Sequence, residues 1–384
     1  LGKKLITNKK ILIEKERLKE INETEYHEIL INHTTPYSPF DILENKSLLL
    51  ENNFDNLNAI DWDKGCYVGQ EITARMKYRG LLKKKLYALK IKSGDEVICP
   101  ANSFIASAGA ISAVGATIKF ADVGADYNLD IDSVNAAITD KTKAIIAVHL
   151  TGNPVDIDAL KTVTEPRSIK IIEDAAQAIG ATYKNKKVGS LGDIGCFSLH
   201  PLKNFHLLGD AGFISTNNKT LADEINLLRN HGLFNRDESA KWGLNSRCDT
   251  LQAAIGLAKI PHLSSWTSRF QEIAKRYHHL LKLHVQCPVW SSDNCPVFHN
   301  FVIQVDDREK LSAQLAERGV DTKIHYPIPL HLMKAAQNLG YQAGDFPQAE
   351  SQSKRILSLP IYPELTDDQV DHVAMSIIES LAAH

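Results

Sequence analysis

Residues 169–216 read IKIIEDAAQAIGATYKNKKVGSLGDIGCFSLHPLKNFHLLGDAGFIST. The first apolar run, IKII, stops at the carboxylate pair Glu173–Asp174, and a second, DIGCFSL, stops at a Pro-bearing loop that presents Lys203. Strands that are apolar nearly throughout belong to a parallel sheet covered by helices on both faces. In such a sheet the carboxyl ends of the strands converge on one crevice, where ligands bind. An acid and a lysine delivered to that edge suit a cofactor with a basic ring nitrogen and an aldehyde, which describes pyridoxal phosphate. The lysine forms a Schiff base and the carboxylate holds the pyridinium proton, so that the ring can act as an electron sink. The strand's alternation turns Glu173 away from that role.

Working outward, GDEVICPANSF reads as a buried strand closed by a Pro-bearing loop, ASAGAISAVGA as a small-residue helix and TIKFADV as a second strand. DIDSVNAAI makes a helix capped by Asp130 or Asp132, KAIIAVHL a strand and DIDALKTV a helix. The stretch AAQAIG after Asp174 is expected to be helical, which would put Gln177 on the same face as Asp174 and would also make Asp174 an N-cap. GSLGDIG (189–195) lacks the Lys-Ser/Thr ending of a Walker loop and reads as a glycine-rich turn into the next strand. Alternating strands and helices indicate an α/β architecture.

The series GDEVICPANSF, VHLTGNPVDIDAL, EDAAQAIGA, GDIGCFSLHPLKN, GDAGF and NSRCDTLQAA resembles the DegT/DnrJ/StrS-type sugar aminotransferases, and the resemblance runs through GVDTKIHYPIPLHL and ILSLPIYPELTDDQV. Those are fold-type I, pyridoxal-phosphate enzymes that usually aminate nucleotide-linked keto sugars. The resemblance implies a mostly parallel sheet flanked by helices over 94–261, then a long helix near 262–283 leading a smaller α+β domain over 262–384. It implies Lys203 as the Schiff-base lysine and proton shuttle, which must be neutral part of the time to act, and Asp174 as the partner of the ring nitrogen. Gln177 would bond near the ring hydroxyl, Ser198 would donate to the cofactor phosphate, and Phe104 would stack on the ring. Asn245 would reach the phosphate site of a neighbouring subunit in a homodimer, with Arg247 beside it. His325 and Tyr326 match a segment near the nucleotide-sugar site. The implied reaction is a ping-pong transfer from an amino acid, glutamate being expected, to a keto sugar.

Composition breaks near residue 93. Residues 1–93 hold fourteen Lys and three Arg against thirteen acids, and three of the chain's alanines against thirty-three in the remainder. Within this front part Asp63-Lys-Gly-Cys-Tyr-Val-Gly-Gln-Glu-Ile-Thr-Ala-Arg is similar to the signature of the folate-binding YgfZ-type proteins, relatives of the glycine-cleavage T-protein. The match covers Lys64, Gly65, Cys66, Tyr67, Gly69, Gln70 and Glu71. It implies tetrahydrofolate as a ligand of this partial module and Cys66 as its functional residue, with a folate-linked role in maintaining iron–sulfur enzymes, or a catalytically impaired chimera, as the alternative functions. From the residues alone Cys66 reads as a partly buried structural thiol in a Gly-flanked turn.

The whole-chain numbers narrow the function classes. A formal net charge of −2 over 384 residues gives no general pull toward nucleic acid or an anionic membrane. The basic cluster Lys83–Lys85 with Arg75, Lys77 and Arg79 is short and reads as a solvated face. No apolar run approaches a membrane span. Six scattered cysteines without a CxxC pair point to reduced thiols and a cytoplasmic setting. The fifteen histidines offer no i, i+4 pair with a nearby acid, so no metal site is expected. A fold-type I aminotransferase would carry, before GDEVI, a strand and a Ser-Gly-Thr turn whose helix start binds the phosphate. Residues 1–93 show no such turn, from which an exposed sheet edge and weakened cofactor affinity are expected.

Overall fold

The computed structural model describes residues 91–382, and the chain divides into two units, Leu1–Leu82 and Lys83–His384. The motif from Lys64 to Glu71, with Cys66, lies outside the described residues.

The second unit starts with β1 (Glu96–Pro100), α1 (Ile105–Ala113), β2 (Thr117–Ala121), α2 (Ile131–Ala137), β3 (Thr142–Val148), α3 (Ile157–Thr164) and β4 (Lys170–Asp174). Short strands β5 (Thr182–Tyr183) and β6 (Lys186–Lys187) precede β7 (Ile194–Ser198) and β8 (Gly212–Ser215). Six of these strands form one sheet in the order β2-β1-β3-β4-β7-β8, parallel throughout except for the antiparallel pair β7–β8. Side chains alternate faces along a strand, and both faces here are dry. Val97, Cys99, Ile146, Val148 and Ile172 pack with Ile111 of α1. Ile98, Ile145, Ala147 and Ile171 pack with Val134 of α2 and Ile157 and Leu160 of α3. Both helices are capped by an aspartate: Asp130 accepts from the Ser133 amide and Asp156 from the Ala159 amide.

The remaining elements are α4 (Lys219–Leu228), α5 (Thr250–Lys259), α6 (Leu263–Leu281), β9 (Asn294–Cys295), β10 (Phe301–Gln304), α7 (Arg308–Glu317), α8 (Pro347–Arg355), β11 (Ile356–Leu359) and α9 (Asp367–Ala382). Helix α6 buries Phe270, Ile273, Ala274, Tyr277 and Leu281, one stripe at helical spacing. From Ile273 onward that stripe meets Phe301 and Ile303 of β10, Leu357 and Leu359 of β11, and α7 and α9 in a core of its own. Val302, on the opposite face of β10, belongs instead with the α1 face of the large sheet, as do Leu330, Phe346 and Ile356. The two-stranded sheet β10–β11 therefore ties the C-terminal part to the large one.

One expected helix is absent. Residues 175–180 form turns closed by the bonds Ala178 N to Ala175 O and Ala181 N to Ala178 O, both 3.0 Å. Five residues between Asp174 and Gly180 (φ +89°) are too few to nucleate a helix. Asp174 Oδ1 also captures the Ala176 amide, which favours a turn. At the other side of the sheet β8 is the last strand, its outer edge unpaired among the described residues, with Phe213 42% and Ile214 46% exposed. Helices α4 and α5 that follow it bury no residue.

Candidate active site

Asp174 and Glu173 close β4 on opposite faces, and their partners differ accordingly. Asp174 shares the parity of Ile172 and faces α1, where Ser107 Oγ donates to its Oδ2 at 2.7 Å. The carboxylate is 4% exposed. Ser107 was not singled out from the sequence, although it lies three residues past Phe104 and so over the same helix entrance.

Glu173 is fully buried and turns to the other face. Its Oε2 accepts from His149 Nε2 (3.0 Å) and the Gly189 amide (2.6 Å), its Oε1 from the Leu191 (2.7 Å) and Gly192 (2.6 Å) amides. His149 Nδ1 accepts the Val155 amide at 3.0 Å, so the ring proton sits on Nε2 and is donated to Glu173. Burial alone would raise the Glu173 carboxyl, but the His149 imidazole and the Gly192 and Gly189 amides hold it below its ordinary value. The glycine-rich turn is thus wound around this anion. Gly195, paired with Glu173 across β4–β7, must be glycine, because a Cβ there would lie 2.4 Å from the Gly189 Cα.

Gln177 reaches the site through the turn rather than a helix. Its Oε1 accepts the Thr151 amide at 2.6 Å and its Nε2 donates to the Tyr326 hydroxyl at 3.3 Å. Tyr326 is pushed up to about 12 by burial and by the Asp174 carboxylate, partly offset by the Gln177 bond. The half-exposed ring of Phe104 stands 5.4 Å from that of Tyr326, centroid to centroid. Next in the chain, His325 shares a hydrogen bond with Ser358 Oγ at 2.9 Å. Burial and then the Lys203 and Lys323 ammonium groups lower its pKa. The Asp174 carboxylate thus acts on Tyr326 and the Lys203 ammonium on its neighbour His325.

Lys203 sits in a tight loop closed by its own amide donating to His200 O at 2.9 Å, with His206 Nδ1 donating to its carbonyl at 3.1 Å. Leu199, Phe205 and Leu207 anchor the loop beneath. Ser198 Oγ accepts from the His200 amide at 3.3 Å at the loop's start. Asn245 and Arg247 join each other (3.1 Å), and Arg247 joins Asn230 (3.4 Å), on an exposed stretch ahead of α5. Among the described residues no hydrogen bond links either of them to Gln177 or Tyr326. Among the described residues no group of three or more His, Cys, Asp or Glu could hold a metal ion, and no helix is long and apolar enough to cross a membrane.

The donor set fits pyridoxal phosphate: β4 ends at the buried Asp174 carboxylate, the loop after β7 carries the Lys203 amine, and the Gln177 amide lies with the rings of Tyr326 and Phe104. The comparisons agree. The model of the DegT/DnrJ/EryC1/StrS aminotransferase family matches residues 81–378, beginning upstream of the composition break at residue 93. Residues 1–80, with the Lys64–Glu71 motif, fall outside that match, and nothing in the matched relatives supports a folate site there. A UDP-N-acetyl-3-dehydro-alpha-D-glucosamine 3-aminotransferase of Acidithiobacillus ferrooxidans is 39% identical, over 88% of this chain and 90% of its own. A pleiotropic regulatory protein of Geobacillus stearothermophilus is 41% identical over 77% of this chain and 80% of its own. The S. venezuelae DesV structure in complex with a ketimine intermediate superposes with a TM-score of 0.75 at 38% identity, over 77% of this chain and 81% of that one. With that sheet, those side chains and a family match over residues 81–378, the chain belongs to the DegT/DnrJ/EryC1/StrS aminotransferases, which work with pyridoxal phosphate.

Proposed function

We propose that the chain moves an amino group from an amino acid, glutamate being the expected donor, to the keto group of a nucleotide-linked sugar. The observation that carries the reading is the buried Asp174 carboxylate at the end of β4, held by Ser107 and lying three residues before Gln177, which is itself bonded to Tyr326. Relatives named for UDP- and dTDP-linked amino sugars support the acceptor class.

When bound, pyridoxal phosphate supplies an electron sink for a carbanion at the carbon bearing the amine. Asp174, oriented by Ser107 and the Ala176 amide, would hold the proton on the ring nitrogen. Lys203 Nζ would bind the aldehyde carbon and, once displaced, carry the proton between the donor's Cα and the cofactor. Gln177, fixed at its other end by the Thr151 amide, would present its Nε2 near the ring hydroxyl. Phe104 and Tyr326 would cover the ring and keep water from it. Ser198 Oγ would donate to the phosphate, and His325 with Tyr326 would face the sugar nucleotide.

The exposed apolar side chains Leu202, Phe213, Phe234, Trp242, Leu251 and Leu257 support a homodimer in which Asn245 and Arg247 of one copy serve the other's phosphate site. The separate core under α6, β10 and α9 supports a smaller C-terminal domain from about residue 262, following a cofactor domain over 94–261.

The test is reconstitution. The purified chain should take up pyridoxal phosphate with a visible lysine-adduct band, lose that band in Lys203→Ala, and convert a UDP- or dTDP-linked 3-keto sugar with glutamate as donor. A folded chain that takes up no cofactor, or a Lys203→Ala variant that keeps the band, would overturn the reading.

A further inference from the structure

Segment 297–299, just before β10, touches both halves of the site. Asn204, the residue after Lys203, makes two bonds to it: Nδ2 donates to Val297 O at 2.9 Å, and Oδ1 pairs with His299 Nδ1 at 2.8 Å. The same segment lies on the turn that carries Gln177's partner. The Val297 amide donates to Gly152 O at 3.1 Å, and a Cβ on Gly152 would meet Gln177 O and the Val297 side chain, both at 2.9 Å, and the His299 amide at 3.1 Å. Lys203 and Gln177 are therefore held in register by one stretch of backbone.

The hydrogen bonds also settle the imidazole. Val297 offers a carbonyl, which can only accept, so the Asn204 amide must present its NH₂ there and its oxygen to His299. That oxygen in turn can only accept, so Nδ1 of His299 bears the hydrogen. We propose that Asn204 and His299 form a positioning pair for the Lys203 loop, with the imidazole neutral and its proton on Nδ1. Burial first, and then the charges of Lys203 and His325, the titratable groups that act on the ring, keep a second proton off it. A neutral ring leaves the amine beside it without an added positive neighbour. The assignment rests on Lys203 being the cofactor lysine.

Two measurements decide it. In the cofactor-free chain labelled with ¹⁵N-histidine, the His299 nitrogens should report the Nδ1–H tautomer and show no protonation around the ordinary histidine range. An Nε2–H tautomer, or titration like a free histidine, overturns the inference. In the holoenzyme, His299→Leu should lower kcat about 10- to 100-fold, the scale of a misplaced reacting group, with KM for the amino donor nearly unchanged. His299→Asn, whose amide can donate from the position of Nδ1, should recover most of the loss. Equal activities of the Leu and Asn variants overturn the positioning role. If His299→Leu does not fold, the spectrum of the unaltered chain still decides the tautomer. A Lys203→Ala variant that keeps its visible band would instead remove the reading of Lys203, without touching the tautomer result.

Discussion

Glu173→Gln keeps the shape of the side chain and replaces one acceptor oxygen with an NH₂. Four donors converge on the carboxylate, two on each oxygen, so either amide orientation sets an NH₂ against two N–H groups. Turning it toward His149 and Gly189 brings no relief: a shifted tautomer would point Nδ1–H at the Val155 amide, which now donates to Nδ1. The orientation toward Leu191 and Gly192 costs less, because those amides are only partly buried and water can replace one partner. Leaving buried donors without acceptors costs about 1–3 kcal/mol each, so the substitution should destabilise the fold by about 2–4 kcal/mol. Denaturant unfolding of both proteins at neutral pH measures this. A variant within about 0.5 kcal/mol of the native chain, the scale of a neutral surface change, would refute the assignment of Glu173 as a clamped anion. The pH dependence gives a second check. A carboxyl held below its ordinary value contributes stability above the unfolded-state pKa and loses it as pH falls through the folded one. The native chain should therefore lose more stability than the Gln variant on acidification below about pH 4, and equal losses would count against the argument.

Asp174→Asn should fold normally yet lower kcat by about 10²–10⁴-fold, the usual worth of a positioned acid–base group, as read by single-turnover transamination. Gly195→Ala should cost about 1–3 kcal/mol or more, because its Cβ would lie 2.4 Å from the Gly189 Cα and 2.5 Å from the Gly189 carbonyl oxygen; thermal unfolding reads this directly. Trp242→Asp, at a side chain 99% exposed, should leave unfolding of the monomer within about 0.5 kcal/mol while shifting sedimentation toward monomer, and an unchanged dimer would place the subunit contact elsewhere.

The strands, their parallel arrangement and the places of Asp174 at the end of β4 and of Lys203 in the loop after β7 could be read from the sequence, because continuous apolar runs and the residues ending them are local properties of the chain. Alternation alone sent Asp174 and Glu173 to opposite faces. What Glu173 does there could not be read, since its partners His149, Gly189, Leu191 and Gly192 come together only when β3, β4 and the following turn are in place. The turn at 175–180 was misjudged for a related reason: alanines favour a helix locally, but side-chain bonds from Asp174 and the start of the β5–β6 hairpin override them. Ser107, Asn204 and His299 likewise carry no signal at their own positions. Their roles arise from contacts between segments up to about a hundred residues apart, which hydrogen-bond geometry fixes and residue spacing does not encode.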